Sequence, residues 1–224
     1  MEDELNLIED EIKRIKNNQS KIIFYFMLSI AIIGSMIILL LNIYRFTLAD
    51  ILTSFFSPFI EILGYIIFFI CSLIVFVYFV VSKSFNRARR GIPFLLNLII
   101  FILVLIVPFT SIVLDLDYRF NKEEREDVVR MVLDGTLKPN VSDNEKLIRL
   151  PEEYKKLSKG GGEIVVQGYG QSDQILFFAY RGILGNMAGF IYTANDSAPD
   201  EMLFGGDFME VKKLNKNWYS VRAT

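Results

Sequence analysis

The sequence predicts three transmembrane helices followed by a small extracytoplasmic α+β domain with an antiparallel sheet of about five strands. Three apolar runs, residues 22–41, 62–81 and 92–114, each reach the roughly 20 residues needed to cross a hydrocarbon core about 30 Å thick. None keeps the polar stripe that a buried helix of a soluble domain carries. The remainder, residues 117–224, is hydrophilic and alternates β-prone runs with turn residues. Composition agrees, since 52% of the 224 residues are hydrophobic and the mean hydropathy is +0.37.

Residues 1–21 read as a cytoplasmic amphipathic helix, because Leu5, Ile8, Ile12 and Ile15 fall at three- and four-residue steps on one seam. Two readings stay open for it: a handle that packs on a partner or a second copy, and a lead-in lying on the membrane surface, where Lys13, Lys16 and Lys21 suit anionic lipid. The first apolar run is too long for a signal-peptide core and is expected to remain as an anchor.

Positive charge sets the expected orientation. Lys13, Arg14, Lys16 and Lys21 precede the first span, and Lys83, Arg87, Arg89 and Arg90 crowd residues 82–91, whereas residues 42–61 carry only Arg45. The N-terminus and the basic loop are therefore expected in the cytoplasm, and the C-terminal domain outside the cell membrane. Residues 42–61 form an interfacial loop in this reading, with Thr47 and Asp50 as a capping box and Ser57 and Pro58 starting the second span. Glu61 then sits in a first turn, where the helix dipole favours it. Ala31 and Ser35 are a small-residue pair, Asn97 can hydrogen-bond between helices, and Pro108 should kink the third span.

In the domain, Asn121 with Glu124 reads as a capping box opening a helix that Gly135 ends. A short helix is expected from Pro151 to the glycines at 160–162. Strands follow over residues 163–167, 174–181, 187–194, 209–214 and 218–223. Both faces of residues 175–181 are apolar, so both need a cover.

Several chemistries are excluded. The chain has no histidine, which removes His-dependent triads, bases and metal ligands. Its single cysteine, Cys71, lies in an apolar run and cannot form an internal disulfide. A net charge of −2 and a pI near 5.4 argue against nucleic-acid binding. Gly160, Gly161, Gly162, Gly168 and Gly170 lack the ending and the following helix of a phosphate loop, and Gly205 to Asp207 read as a turn. Ser158 beside Lys159 is a weak dyad, and Asp115 with Asp117 could pair as carboxylates but read more simply as solvated residues. Asn140 and Asn195 each open a glycosylation sequon.

No catalytic, metal or cofactor site is therefore expected. Tyr180, Arg181, Tyr192 and Trp218 are the candidates for a partner-binding patch, because Tyr, Trp and Arg are enriched in binding hot spots. The expected partners are the lipid bilayer and a protein in or outside the membrane, with a second copy as an alternative. The expected role is an accessory, sensory or immunity-type component of a membrane complex. The alternatives are a membrane-bound hydrolase or transferase using outer-face carboxylates, and an oligomeric channel or transport subunit.

Overall fold

A computed structural model of the chain describes residues 2–82, 87–142, 144–167, 173–182, 186–200, 204 and 207–223. Lys83 of the basic loop and the glycines at 168, 170, 205 and 206 lie outside the described residues. The chain divides into two compact units, Met1–Ile43 with Phe59–Pro108, and Tyr44–Pro58 with Phe109–Thr224.

The first unit is helical. Helices α1 (Glu2–Ile43), α2 (Arg45–Val81) and α3 (Arg87–Ile106) each contain a stretch long and apolar enough to cross a membrane. The amphipathic lead-in and the first span, expected as separate elements, form one helix of 42 residues. No Gly or Pro lies between them, so nothing interrupts the ladder of backbone hydrogen bonds at the water boundary. Small residues bring α1 against α2: a Cβ on Gly34 would lie 2.9 Å from Cys71 Cβ. Phe79 and Phe94 stack between α2 and α3 with ring centroids 5.8 Å apart.

One polar cluster ties the three helices together. Ser35 Oγ donates to Asn97 Oδ1 at 3.0 Å, and Asn97 Nδ2 donates to Ser72 Oγ at 3.0 Å. Asn97 is buried. In hydrocarbon its amide has no water to turn to, so these two hydroxyls fix its place between the helices.

Two expected boundaries move. The run 92–114 is not one helix: α3 ends at Ile106, and a new helix, α4, runs from Phe109 to Leu133. Pro108 lacks an N–H and clashes with the preceding turn, so it breaks the helix outright instead of kinking it. Consequently Asn121 is no N-cap. It lies in the middle of α4 and donates to the Asp117 carbonyl at 3.1 Å and to Asp117 Oδ1 at 2.6 Å. The second unit takes in the whole of α4, from Phe109 onward.

The interfacial loop moves as well. Its residues are helical from Arg45, so Thr47, Asp50, Ser57 and Pro58 all lie inside α2 and cap nothing. The kink falls at Thr53, whose φ of 67° and ψ of 150° leave helical space. Residues Tyr44–Pro58 pack as part of the second unit, with Ala49 and Ser57 buried and Phe46 against the domain core.

Six antiparallel strands form the sheet: β1 (Leu147–Arg149), β2 (Glu163–Gln167), β3 (Gln174–Arg181), β4 (Met187–Thr193), β5 (Phe208–Asn215) and β6 (Trp218–Ala223), in the order β1-β2-β3-β4-β6-β5. The strand beyond the expected five is β1, whose three residues are too short to show alternation. The helix expected after Pro151 is a single 3-10 turn, Lys155–Leu157. Gly160, Gly161 and Gly162, with φ of 75°, 116° and 72°, then turn the chain into β2 in a conformation closed to most side chains.

Both apolar faces of the sheet are covered. On one, Leu114, Tyr118, Val128 and Val129 of α4 pack with Ile164, Ile175, Phe177, Phe190 and Trp218. On the other, Leu176, Phe178, Ile191 and Val221 cluster, and Phe204 and Phe208 pack on them. The second cover thus includes Phe204 and the first residue of β5. A bulge between Phe178 and Tyr180 shifts the register, so Tyr180 packs with Ala179 on the α4 side.

Candidate functional site

Helix α4 carries Asp117, Asn121 and Arg125 at four-residue intervals, which places them on one face. Arg125 is only 1% exposed. Its Nη2 donates to Asp117 Oδ2 at 2.6 Å and to the Leu157 carbonyl at 3.4 Å, and its Nη1 donates to the Asp117 carbonyl at 3.1 Å. The guanidinium carbon lies 4.2 Å from the centre of the Phe190 ring. Burial pushes the Arg125 pKa down, and the Asp117 carboxylate works against that shift. The group is a structural cation: one carboxylate, two carbonyls and an aromatic face replace the water around its terminal nitrogens, while its buried Nε has no hydrogen-bond partner.

Around it stands an aromatic box. Trp218 packs on Tyr118, Phe177 and Tyr192 with ring centroids 5.7, 5.9 and 5.5 Å apart. The Tyr118 hydroxyl is pushed up to about 12, first by burial and then by the nearby Glu126 carboxylate.

The four residues nominated for a recognition patch are not brought together: Tyr192 and Trp218 line one groove, and Tyr180 and Arg181 lie elsewhere on the sheet. Trp218 is 2% exposed and belongs to the core, because its indole fills the space between α4 and the sheet. Tyr192 is half-buried at the edge of this box. It lines a groove of about 620 Å³ together with Lys122, Glu126, Arg130, Asn215 and Asn217. Tyr180 lies toward the opposite end of the β3–β4 pair, since it faces Ala188 whereas Tyr192 faces Ile175. There Tyr180 packs against Phe46, with ring centroids 5.7 Å apart.

Arg181 is exposed, over the Phe178 ring at 5.1 Å and 3.3 Å from Glu163 Oε2. Its carbonyl accepts a hydrogen bond from the Ser54 hydroxyl. This end of the sheet is where Tyr44–Pro58 docks: Asp50 Oδ1 accepts from the Gly160 N–H at 3.0 Å, and Asp50 Oδ2 lies 3.5 Å from Lys159 Nζ.

The weaker catalytic candidates are all engaged in the fold. Ser158 is buried; its hydroxyl donates to the Glu163 carbonyl at 2.5 Å and accepts from the Phe178 N–H at 2.9 Å. Lys159 turns to Asp50 instead, so no dyad forms. Asp115 pairs with Lys212 at 2.6 Å while Asp117 pairs with Arg125, so the two carboxylates serve different cations and do not share a site. Asn140 holds β1 through both side-chain atoms, accepting from the Arg149 N–H at 2.7 Å and donating to its carbonyl at 3.0 Å. At the second sequon, Asn195 Oδ1 accepts from the Ser197 N–H and hydroxyl at 3.1 and 2.7 Å.

Reading the sequence missed Arg125 and Asp50. The eight-residue step from Asp117 to Arg125 would have carried the first signal, had α4 been recognised as one helix. Asp50 shows no such signal, because its partners lie 110 residues away. Compared with protein-family models, curated proteins and solved structures, the chain matches none.

Proposed function

We propose that the chain is a membrane-anchored binding protein, with its N-terminus in the cytoplasm and its α+β domain outside, that engages a protein partner through the groove beside Tyr192. The observation that carries this reading is a contrast within the domain. Ser158, Asp115 and Asp117 are each committed to a structural bond, whereas the groove presents charges of both signs around a half-buried tyrosine. Such a surface suits a polar, charged segment of another protein better than a reaction centre. An accessory subunit, an envelope sensor and an immunity-type protector all fit.

The test uses the full chain in its native membrane. With Cys71 replaced by Ser, a cysteine at Ser197 should react with an impermeant thiol reagent in intact cells and one at Ser84 should not. A photo-crosslinking residue at Tyr192 should then capture a partner, and Glu126→Lys with Arg130→Glu should abolish the capture. Labelling at Ser84 but not Ser197 would reverse the orientation, and capture unaffected by the charge reversal would remove the groove from the reading.

A further inference from the structure

The exposed face of α1 carries a second pattern, independent of the groove. In the lead-in, Ile8, Ile12 and Ile15 are 56%, 46% and 55% exposed. The same three-and-four step continues through Gln19 into the span, where Ile22, Phe26, Ser29, Ile33, Met36, Leu40 and Ile43 keep it and are all exposed. The face that meets the neighbouring helices, with Ala31, Gly34, Ser35 and Ile38 buried, lies opposite. In the span an exposed apolar side chain needs no explanation, because lipid covers it. In the lead-in it does.

Continuity of α1 removes one cover for that stripe. The 20 residues before the first span extend the helix by about 30 Å. An unbroken helix whose span crosses the bilayer carries its lead-in away from the surface, so the isoleucines cannot lie in the headgroup layer. What matches the stripe is another helix running alongside through both water and membrane, with a repeat of 3.5 residues. We infer that this helix is α1 of a second copy, and that the chain self-associates as a parallel bundle along Ile8–Ile43.

Two features favour a copy of this chain over another helix. Every copy sits in the same membrane with the same orientation, which makes the pairing parallel and in register. In that register, with Ile12 at position a and Ile15 at d, Glu11 falls at g and Lys16 at the e position it faces on the neighbour. The pair therefore forms reciprocally. Glu4 and Glu9 occupy the corresponding positions one heptad earlier and repel weakly, which places the start of the seam at Ile8. Isoleucine at the d positions 8, 15 and 22 favours three or four strands over two.

The experiment is disulfide cross-linking of the full chain in membranes, with Cys71→Ser as background. Ile8→Cys and Ile15→Cys should give linked copies under mild oxidation, whereas Asp10→Cys and Asn17→Cys, on the outer face, should not. In the Ile15→Cys chain, Glu11→Lys should lower the linked fraction, and Glu11→Lys with Lys16→Glu should restore it. Light scattering in mild detergent should give a protein mass of several chains. A mass of one chain, equal linking on both faces, or failure of the double charge swap to restore linking would overturn the inference.

Discussion

Removing the Asp117 carboxylate should damage the domain more than removing the Arg125 charge, although the two belong to one ion pair. The difference comes from burial: the Arg125 side chain is 1% exposed and that of Asp117 is 30% exposed. Asp117→Ala leaves a guanidinium in the core with only two carbonyls and the Phe190 ring around it. Stranding a buried charge costs about 3–5 kcal/mol. The partial exposure of Asp117 argues for the lower end, about 3 kcal/mol. Arg125→Met removes the buried charge, keeps most of the packing on Phe190 and leaves Asp117 in contact with water and with Asn121. What it loses is a cation over an aromatic ring and donors to the Asp117 and Leu157 carbonyls, about 1 kcal/mol in all once the relief of desolvation is counted.

The sole tryptophan makes the assay specific. Trp218 lies in the aromatic box beside Arg125, so its fluorescence during heating of the full chain in mild detergent reports this domain. For a domain of this size, about 3 kcal/mol corresponds to a fall in Tm of roughly 10–15 °C for Asp117→Ala, against about 4 °C for Arg125→Met. The double variant should resemble Arg125→Met alone, because the carboxylate has nothing left to compensate. A fall for Asp117→Ala equal to or smaller than that for Arg125→Met would refute the reasoning.

Other consequences are directly measurable. Ser158→Ala should cost about 1–3 kcal/mol, because it strands the buried Phe178 N–H, and should lower the Trp218 melting temperature accordingly; an unchanged melt would remove the structural role of the hydroxyl. Tyr118 should titrate later than ordinary tyrosines in an ultraviolet pH titration, since its pKa is raised from 10.0 to about 12. Its proton is released earlier in the unfolded chain, so stability should fall as pH rises from about 10 to about 12, and Tyr118→Phe should flatten that decline. Asn97→Leu should weaken the helical unit by roughly 0.6–1.7 kcal/mol, read as earlier loss of helix in an SDS titration.

How much of this could be read in advance depends on the range of the forces involved. The spans were legible because a bilayer imposes its own length on apolar runs, and β2 to β6 because alternation and turn residues are local. What failed was every boundary that a neighbour decides. Asn121 and Glu124 satisfy a capping pattern, yet α4 passes through them because Asp117 and Arg125 use that face of an uninterrupted helix. Thr47 and Asp50 satisfy another, yet Asp50 turns to Gly160. In the nominated patch, Trp218 carries the same hot-spot signature whether it faces a partner or a core, and only the arrival of α4 decides which.

The segment Tyr44–Pro58 shows how far such a boundary matters. A fragment cut at the hydrophilic boundary, residues 117–224, keeps all six strands and looks self-sufficient by composition. It lacks Leu114, which is 3% exposed in the core, the Asp115–Lys212 pair, and the Phe46, Asp50 and Ser54 contacts at the end of β3. Losing a buried leucine costs about 2–5 kcal/mol, and the packing of Phe46 adds to that. Against a typical domain stability of about 5–15 kcal/mol, most of the margin is gone. The fragment should therefore give little cooperative change in Trp218 fluorescence on heating, whereas residues 109–224 with Tyr44–Pro58 joined in front by a flexible linker should recover a melt. A cooperative transition in the bare fragment, at the temperature of the full chain, would show that Tyr44–Pro58 rests on the domain without stabilising it.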